Sequence, residues 1–274
     1  MDIRKDYWVA PRLTDGLGNR LFQYASALNY AFQEKKRCVF FLPRSMKTDH
    51  GDFNSIFKLF PKTEIVETES SWEEIQEKCE HYGYDEVKFN IDNNLIIQGY
   101  RHNLEYFEFI ELKPNFLNAI GVNRLEELNK KYLSEKENLF FIHVRLGDYK
   151  ILPHHQIDIQ KYYSEAIKYI PSNAKVILFS DELELCSPLI QNMLESKNFN
   201  LILCDISDEV ETLYLMSQCG RGCITANSTY SYWGAYFLHQ NYNSAICVYP
   251  KQFGKGLPEP KNLFPSYGIL VDSL

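Results

Sequence analysis

The chain has 274 residues, 45% of them apolar, and its 29 Lys and Arg against 36 Asp and Glu give a net charge of −7. That apolar share over such a length supports one large or two modest folded domains and argues against disorder. The positive residues are scattered, so the overall field does not favour nucleic acid or an anionic membrane surface, and any anionic ligand must be held locally.

Met1 to Asp6 is not followed by an apolar h-region, and no stretch approaches the roughly 18 apolar residues of a membrane span. The expectation is a cytoplasmic protein without a transmembrane segment. The seven Cys are an odd number, and Cys38, Cys204, Cys219, Cys223 and Cys247 stand in apolar segments, as reduced core thiols do. Cys219 and Cys223 form the one close pair, with no second pair at zinc-site spacing. His154 and His155 are adjacent, point apart and have no carboxylate in register, so a solvated loop and no metal site are expected.

In chain order, Tyr7 to Leu13 reads as a strand and Thr14 to Asn19 as a glycine turn. A helix follows, with Leu21, Phe22, Ala25, Leu28 and Phe32 at helical spacing. Cys38 to Leu42 is a second buried strand stopped by Pro43. Lys47 to Phe60 is polar and broken by Gly51 and Pro61. Glu64 to Asp92 reads as irregular around a short helix near 71–79. Leu95 to Gln98 is a strand ended by Gly99 to His102. From Lys113 to Glu137 helical composition dominates, with Leu117, Ile120, Leu125, Leu128 and Tyr132 on one face. The charged run 134–138 marks a domain boundary, giving domains 1–138 and 139–274.

The second half alternates strands at 139–144, 175–179, 200–204, 223–226 and 245–249 with helices at 158–170, 183–196, 208–219 and 229–239. Such alternation implies right-handed crossovers and a parallel, doubly wound sheet. A strand-turn-helix opening in both halves predicts an α/β protein of two facing Rossmann-like domains with a cleft between them.

Ligands of open α/β sheets bind at the carboxyl ends of strands, and three segments in the second half fall there. His143-Val144-Arg145-Leu146-Gly147-Asp148-Tyr149 delivers a guanidinium suited to a phosphate, or an Arg–Asp pair that only closes the loop. Ser180 and Asp181 suit a ribose or the N1–H and exocyclic amine of guanine, or merely cap the next helix. Asn227, Ser228 and Thr229 open a helix whose N–H groups and hydroxyls make an anion site; the triplet also spells a glycosylation sequon. In the first half Gly16, Gly18 and Asn19 place N–H groups at a helix start, for a ligand or simply for close packing; the spacing is neither a dinucleotide fingerprint nor a P-loop. Convergence of Arg145, Asp181 and 227–229 points to a nucleotide diphosphate, with Arg145 offsetting the leaving-group charge that a metal otherwise neutralises. A nucleotide-sugar transferase is the leading class.

The stretch from Asp15 through Gly16, Leu17, Gly18, Asn19, Arg20, Leu21, Phe22, Gln23 and Tyr24 to Ala25 resembles the GGLGNQMFQYA opening of the α1,2-fucosyltransferases of glycosyltransferase family 11. His143 to Tyr149 resembles their HxRRGDY, Tyr162 to Ile167 their YYxxAI, and Phe179 to Glu182 their FSDD. Leu215 to Cys219 with Ala226 to Ala235 is similar to LMSxC and ANSTFSWWGA, and Gly99, Tyr100, Tyr106 and Phe107 to GYxQSxxYF. The resemblance runs from residue 15 to about 251. It implies a GT-B-like pair of domains and inverting, metal-free transfer of L-fucose from GDP-fucose to the 2-hydroxyl of a galactose-type sugar on an oligosaccharide or glycoconjugate, with no cofactor.

It further implies that Arg145 contacts the diphosphate, with His143 and Asp148 shaping that loop. Asp181, beside Ser180, would face guanosine; Asn227, Ser228 and Thr229 the phosphates; Gly16, Gly18 and Asn19 the donor from the first domain. Tyr100, His102 and Asn103 would lie on the acceptor side. Asp148, His143 and Asp15 are the candidate proton acceptors, with Asp148 also able to act simply as an ion-pair partner that orients Arg145. Leu146 replaces the second Arg of the motif, and Arg20, in place of Gln, is expected to restore a cation. His102 and Asn103 replace Gln and Ser. The rival readings are transfer of another activated deoxyhexose, such as rhamnose, and a catalytically idle nucleotide- or carbohydrate-binding protein.

Overall fold

The computed structural model describes residues 7–42, 53–67, 71–78, 82–85, 92–195 and 199–274. The expectations placed on Met1 to Asp6, Pro43, Gly51 and Cys79 lie outside them. Contacts divide the chain into one unit of Met1–Ala119 with Lys261–Leu263 and a second of Ile120–Pro260 with Phe264–Leu274.

The first unit contains β1 (Trp8–Pro11), α1 (Leu17–Gln33), β2 (Arg37–Phe41), α2 (Asn54–Leu59), β3 (Glu64–Val66), β4 (Trp72–Gln76) and β5 (Asn94–Gln98), with α3 (Phe116–Ile120) at its end. All strand pairs are parallel, in the order β3-β2-β1-β5-β4. Trp8, Ala10, Val39, Phe41 and Ile96 make the core of one face. On the other, Tyr24 of α1 meets Phe40 at 4.9 Å between ring centroids. The expected apolar stripe understates α1, which is buried on nearly every side, while Phe32 at its end is 64% exposed.

The segment expected to form a short helix near 71–79 is instead the strand β4, paired with β5 from Trp72 opposite Asn94 to Gln76 opposite Gln98. Its side chains are mostly exposed. Backbone pairing rather than burial therefore decides its conformation, and its glutamates protect a sheet edge. Glu74 ties the edge down through Arg12, Nη2 to Oε1 at 2.6 Å.

The second unit contains α4 (Val122–Tyr132), β6 (Leu139–Val144), α5 (Ile159–Ala166), β7 (Lys175–Ser180), α6 (Leu183–Glu195), β8 (Asn200–Leu203), α7 (Glu209–Ser217), β9 (Gly222–Ile224), α8 (Thr229–Asn241), β10 (Ile246–Pro250) and β11 (Ile269–Val271). Its strands are again parallel and lie in the order β8-β7-β6-β9-β10-β11. Counted from β6, this is 3-2-1-4-5-6, the dinucleotide-fold order. Phe140, Ile142, Val144, Val176 and Leu178 pack on Tyr162, Tyr163 and Ala166 of α5 and on Cys186, Ile190 and Leu194 of α6. On the opposite face Gly234 of α8 lies against Phe141 and Met216. The six described cysteines are free thiols, five of them buried.

The units divide after Ala119, 19 residues before the boundary that the charged run marked after residue 138. Gly121, with φ +89°, breaks the expected 113–137 helix into α3 and α4. Beyond the break, Leu128 and Tyr132 are buried. Arg124 grips Glu211 of α7 through Nε and Nη2, both at 2.8 Å. Packing and a bidentate ion pair thus attach α4 to the second unit, whereas charge composition reports only a solvated turn.

Candidate functional site

Strand order reverses beside β6 in the second unit, so the carboxyl ends of β6 and β9 are where an open sheet receives a ligand. Two adjacent tyrosines of α5 hold those ends. Tyr163 donates its hydroxyl to the His143 carbonyl at 2.6 Å, and Tyr162 donates to the Thr225 carbonyl at 2.7 Å. Burial raises the pKa of both phenols well above the ordinary value, so they remain donors.

Arg145 leaves β6 into this crevice. Its Nη2 donates to Asp148 Oδ1 at 2.6 Å and its Nη1 pairs with Asp181 Oδ2 at 2.9 Å. The other oxygen of Asp181 accepts the Leu146 N–H at 2.9 Å. Gly147 permits this approach, because a Cβ there would stand 2.3 Å from Asp181 Oδ2. The Arg-x-Gly-Asp spacing thus sets a guanidinium between two carboxylates. Its carbon lies 5.5 Å from the centre of the Tyr149 ring, which stacks on His155 at 4.7 Å and 13°.

Arg145, Tyr149, Lys150, His155, Gln156 and Asn227 are among the residues lining a cavity of about 300 Å³. Lys150 pairs with Glu182. Around the cavity mouth two cations thus meet three carboxylates. Of the three carboxylates Asp148 is the most exposed, its side chain 43% accessible.

The structure brings Arg145, Asp148, Asp181 and Asn227 together but distributes their tasks unevenly. Asn227 is buried, and its Nδ2 donates to the carbonyls of His155 and Phe253, each at 2.7 Å. Its amide fixes the cavity wall. Ser228 is the N-cap residue of α8 and makes no side-chain cap, and Thr229 follows in the first turn. The Ser180 hydroxyl accepts the Glu182 N–H at 3.0 Å, the capping role weighed from the sequence. His143, expected among the catalytic residues, is 6% exposed and turns its ring toward Tyr230 at 5.9 Å. Burial, with Arg145 adding repulsion, pushes its pKa down to about 3, so it shapes the loop as a neutral ring.

Lys150, Tyr149, His155 and Gln156 escaped the sequence reading as site residues. Lys150 and Tyr149 directly continue the Arg145–Asp148 motif, a position that could have revealed them. His155, expected in a solvated loop, is instead stacked on Tyr149. Among the described residues no group of three or more His, Cys, Asp or Glu could hold a metal ion.

The first unit has a comparable reversal, between β1 and β5. Here Gly16 is the N-cap residue of α1, Gly18 lies in the first turn, and Asn19 Oδ1 meets His102 Nε2 at 3.2 Å. His102 stacks on Tyr100 at 5.2 Å and 27°. Glycine-turn residues assigned to the donor therefore stand with residues assigned to the acceptor. Asn103 is buried and structural: its Nδ2 donates to the Tyr82 carbonyl at 2.9 Å and its Oδ1 accepts the Glu105 N–H at 3.0 Å. Arg20 is fully buried, its guanidinium 4.4 Å from the Phe53 ring centre, so the cation expected to serve a ligand lies inside the first unit.

Two curated relatives from Escherichia coli are similar along nearly the whole chain. The O-antigen biosynthesis glycosyltransferase WbnK is 26% identical over 307 residues, covering 93% of this chain and 98% of its own. An alpha-1,2-colitosyltransferase is 26% identical over 280 residues, covering 88% and 91%. Among solved structures, NodZ alpha-1,6-fucosyltransferase co-crystallized with GDP shares the fold with a TM-score of 0.50 at 14% identity, covering 84% of this chain and 92% of that one. The GT-B-like fold that the family resemblance implied is thereby established. Residues 5–253 match the model of glycosyl transferase family 11. With two parallel α/β units, an arginine set at the sheet reversal and a family match over most of its length, this chain belongs to glycosyl transferase family 11.

Proposed function

We propose that the protein is an inverting, metal-independent transferase that moves L-fucose from GDP-fucose to the 2-hydroxyl of a galactose-type acceptor. The observation that carries this reading is Arg145, fixed by Asp148 and Asp181 at the carboxyl end of β6 and lining the cavity with Asn227. A guanidinium has five N–H donors in a rigid fork, so one held by two carboxylates can still meet a diphosphate. In inversion the acceptor hydroxyl oxygen attacks the anomeric carbon opposite the leaving group, the bond from that carbon to the diphosphate oxygen breaks with its electron pair leaving on GDP, and the hydroxyl proton passes to water. Arg145 then stabilises the charge that develops on the diphosphate without having to reorganise. Asp148 acts as the group that orients Arg145. GDP in the structurally similar NodZ supports the donor class, and the α1,2 linkage in the name of the second relative supports the linkage.

That relative, a colitosyltransferase, also favours a second reading in which another activated deoxyhexose is transferred. A thermal-shift screen of GDP, GDP-fucose, GDP-mannose and UDP- and dTDP-sugars, with and without EDTA, separates the two. The fucosyl reading expects stabilisation by GDP and GDP-fucose that EDTA does not alter, and a 2-linked product on linkage analysis. Turnover with a different sugar nucleotide alone replaces it with the second reading. Binding of GDP without turnover on any acceptor refutes both.

A further inference from the structure

Arg145 is already engaged by two carboxylates, whereas a nucleotide-sugar diphosphate is a dianion that gains further charge as the sugar departs. The cation expected from Arg20 is enclosed in the first unit. Among the described residues lining the cavity at the end of β6, Arg145 and Lys150 carry permanent charges, and both are positive. Their partners Asp148, Asp181 and Glu182 do not line it. The cavity therefore presents two cations beside Leu146, Ile157 and Ile159, which pack against the core.

The backbone of Lys150 is fixed from two sides. Gly147–Lys150 form a single 3₁₀ turn, in which the Lys150 N–H donates to the Leu146 carbonyl at 3.1 Å. The Lys150 carbonyl accepts from Nε2 of Gln156, another lining residue, at 2.9 Å. Its ammonium, in contrast, is held through an ion pair with Glu182, on a side chain that is 46% exposed. An exposed Lys–Glu pair contributes little to stability, so a ligand oxygen can displace the carboxylate at small cost. Arg145 is preset as a planar fork between two carboxylates, while the ammonium swings on a flexible four-carbon stem.

We propose that Lys150 is the second cation of the anion site, leaving Glu182 to donate to a diphosphate oxygen beyond those that Arg145 holds; this rests on the transferase reading above. The loop thereby supplies, one turn after Leu146, a positive charge that Leu146 itself lacks. An ammonium is a compact point charge with rotatable donors, so it can follow the diphosphate as the bond to the sugar lengthens. Glu182 holds the ammonium in place until an anion arrives, and by competing for it lowers the affinity of that anion.

Isothermal titration of the full chain with inorganic pyrophosphate and with GDP, at one ionic strength, tests the assignment. Lys150→Met removes the charge and keeps most of the stem, and Glu182→Gln removes the competitor; both side chains are partly exposed, so both variants should fold. K150M should weaken pyrophosphate and GDP each roughly tenfold, the loss expected for a hydrogen bond to a charged group, whereas K150R should stay within about threefold of wild type. E182Q should tighten both ligands about threefold, and that gain should vanish in the double variant. A Lys150 that only braces the loop predicts weaker binding in both single variants; that result, or wild-type affinity for pyrophosphate in K150M, overturns the proposal. Pyrophosphate binding that depends on Lys150, with GDP bound no more tightly, supports the second cation and refutes the nucleotide reading. Failure of wild type to bind either ligand overturns both.

Discussion

Gly147→Ala tests the construction of the arginine site most directly. The added Cβ would lie 2.3 Å from Asp181 Oδ2, about 1 Å short of ordinary contact. Asp181 must swing away, stretching both its 2.9 Å contacts, to Arg145 Nη1 and to the Leu146 N–H. These groups are partly exposed, so the loss in stability should be only about 1 kcal/mol. The guanidinium, held now by Asp148 alone, loses its setting at the leaving group, and a displacement of that size costs on the order of 10²-fold in turnover. Steady-state kinetics with the donor that the thermal-shift screen identifies, alongside urea denaturation, separate the two effects. Wild-type kcat/KM in a folded G147A protein would refute the argument that Asp181 positions Arg145.

Arg145→Ala should lower turnover by 10²-fold or more, the loss expected for a charge-stabilising donor; a wild-type rate would remove Arg145 from the mechanism. Asn227→Ala leaves the carbonyls of His155 and Phe253 without their donor and should cost about 2–3 kcal/mol in urea denaturation, with the cavity wall loosened. His143 is neutral in the fold down to about pH 3, whereas the unfolded chain protonates it near 6.5. The unfolded state therefore binds the extra proton between those values. Stability should fall as pH drops through that window, by at most about 1.4 kcal/mol per pH unit, and His143 should contribute nothing above it. His143→Gln should show a shallower acid limb, and parallel limbs for the two proteins would contradict the buried neutral ring.

The second unit was largely legible because its strands are short apolar runs, such as Leu139–Val144, separated by helix-length segments, and burial on both faces leaves no alternative pairing. Arg145 was legible for the same reason: a charged residue directly after a buried strand has only the sheet edge to occupy. β4 was not, since Trp-Glu-Glu-Ile-Gln has no buried face and becomes a strand only through β5. The three-residue strands β3 and β11 are likewise made by their neighbours. Asn103, Asn227 and Ser180 lie where a ligand contact was expected, yet their side chains serve the backbone, and composition cannot tell an amide that meets a carbonyl from one that meets a phosphate. Arg20 shows the converse. Its charge was expected to serve the ligand, but α1 is enclosed and the side chain lies over Phe53.

Lys261–Leu263 belong to the first unit although the residues on both sides belong to the second. Leu263 is fully buried, Asn262 accepts the Leu104 N–H at 2.8 Å through its carbonyl, and its side-chain amide donates to Glu105 Oε1 at 2.7 Å. No single cut can therefore release both halves whole. A fragment ending near 119 lacks a buried leucine and two hydrogen bonds, while one beginning near 120 carries that leucine with nothing to cover it. Dissection into independently expressed halves needs a third, short peptide, or a circular permutation that joins this tripeptide to the end of the first half.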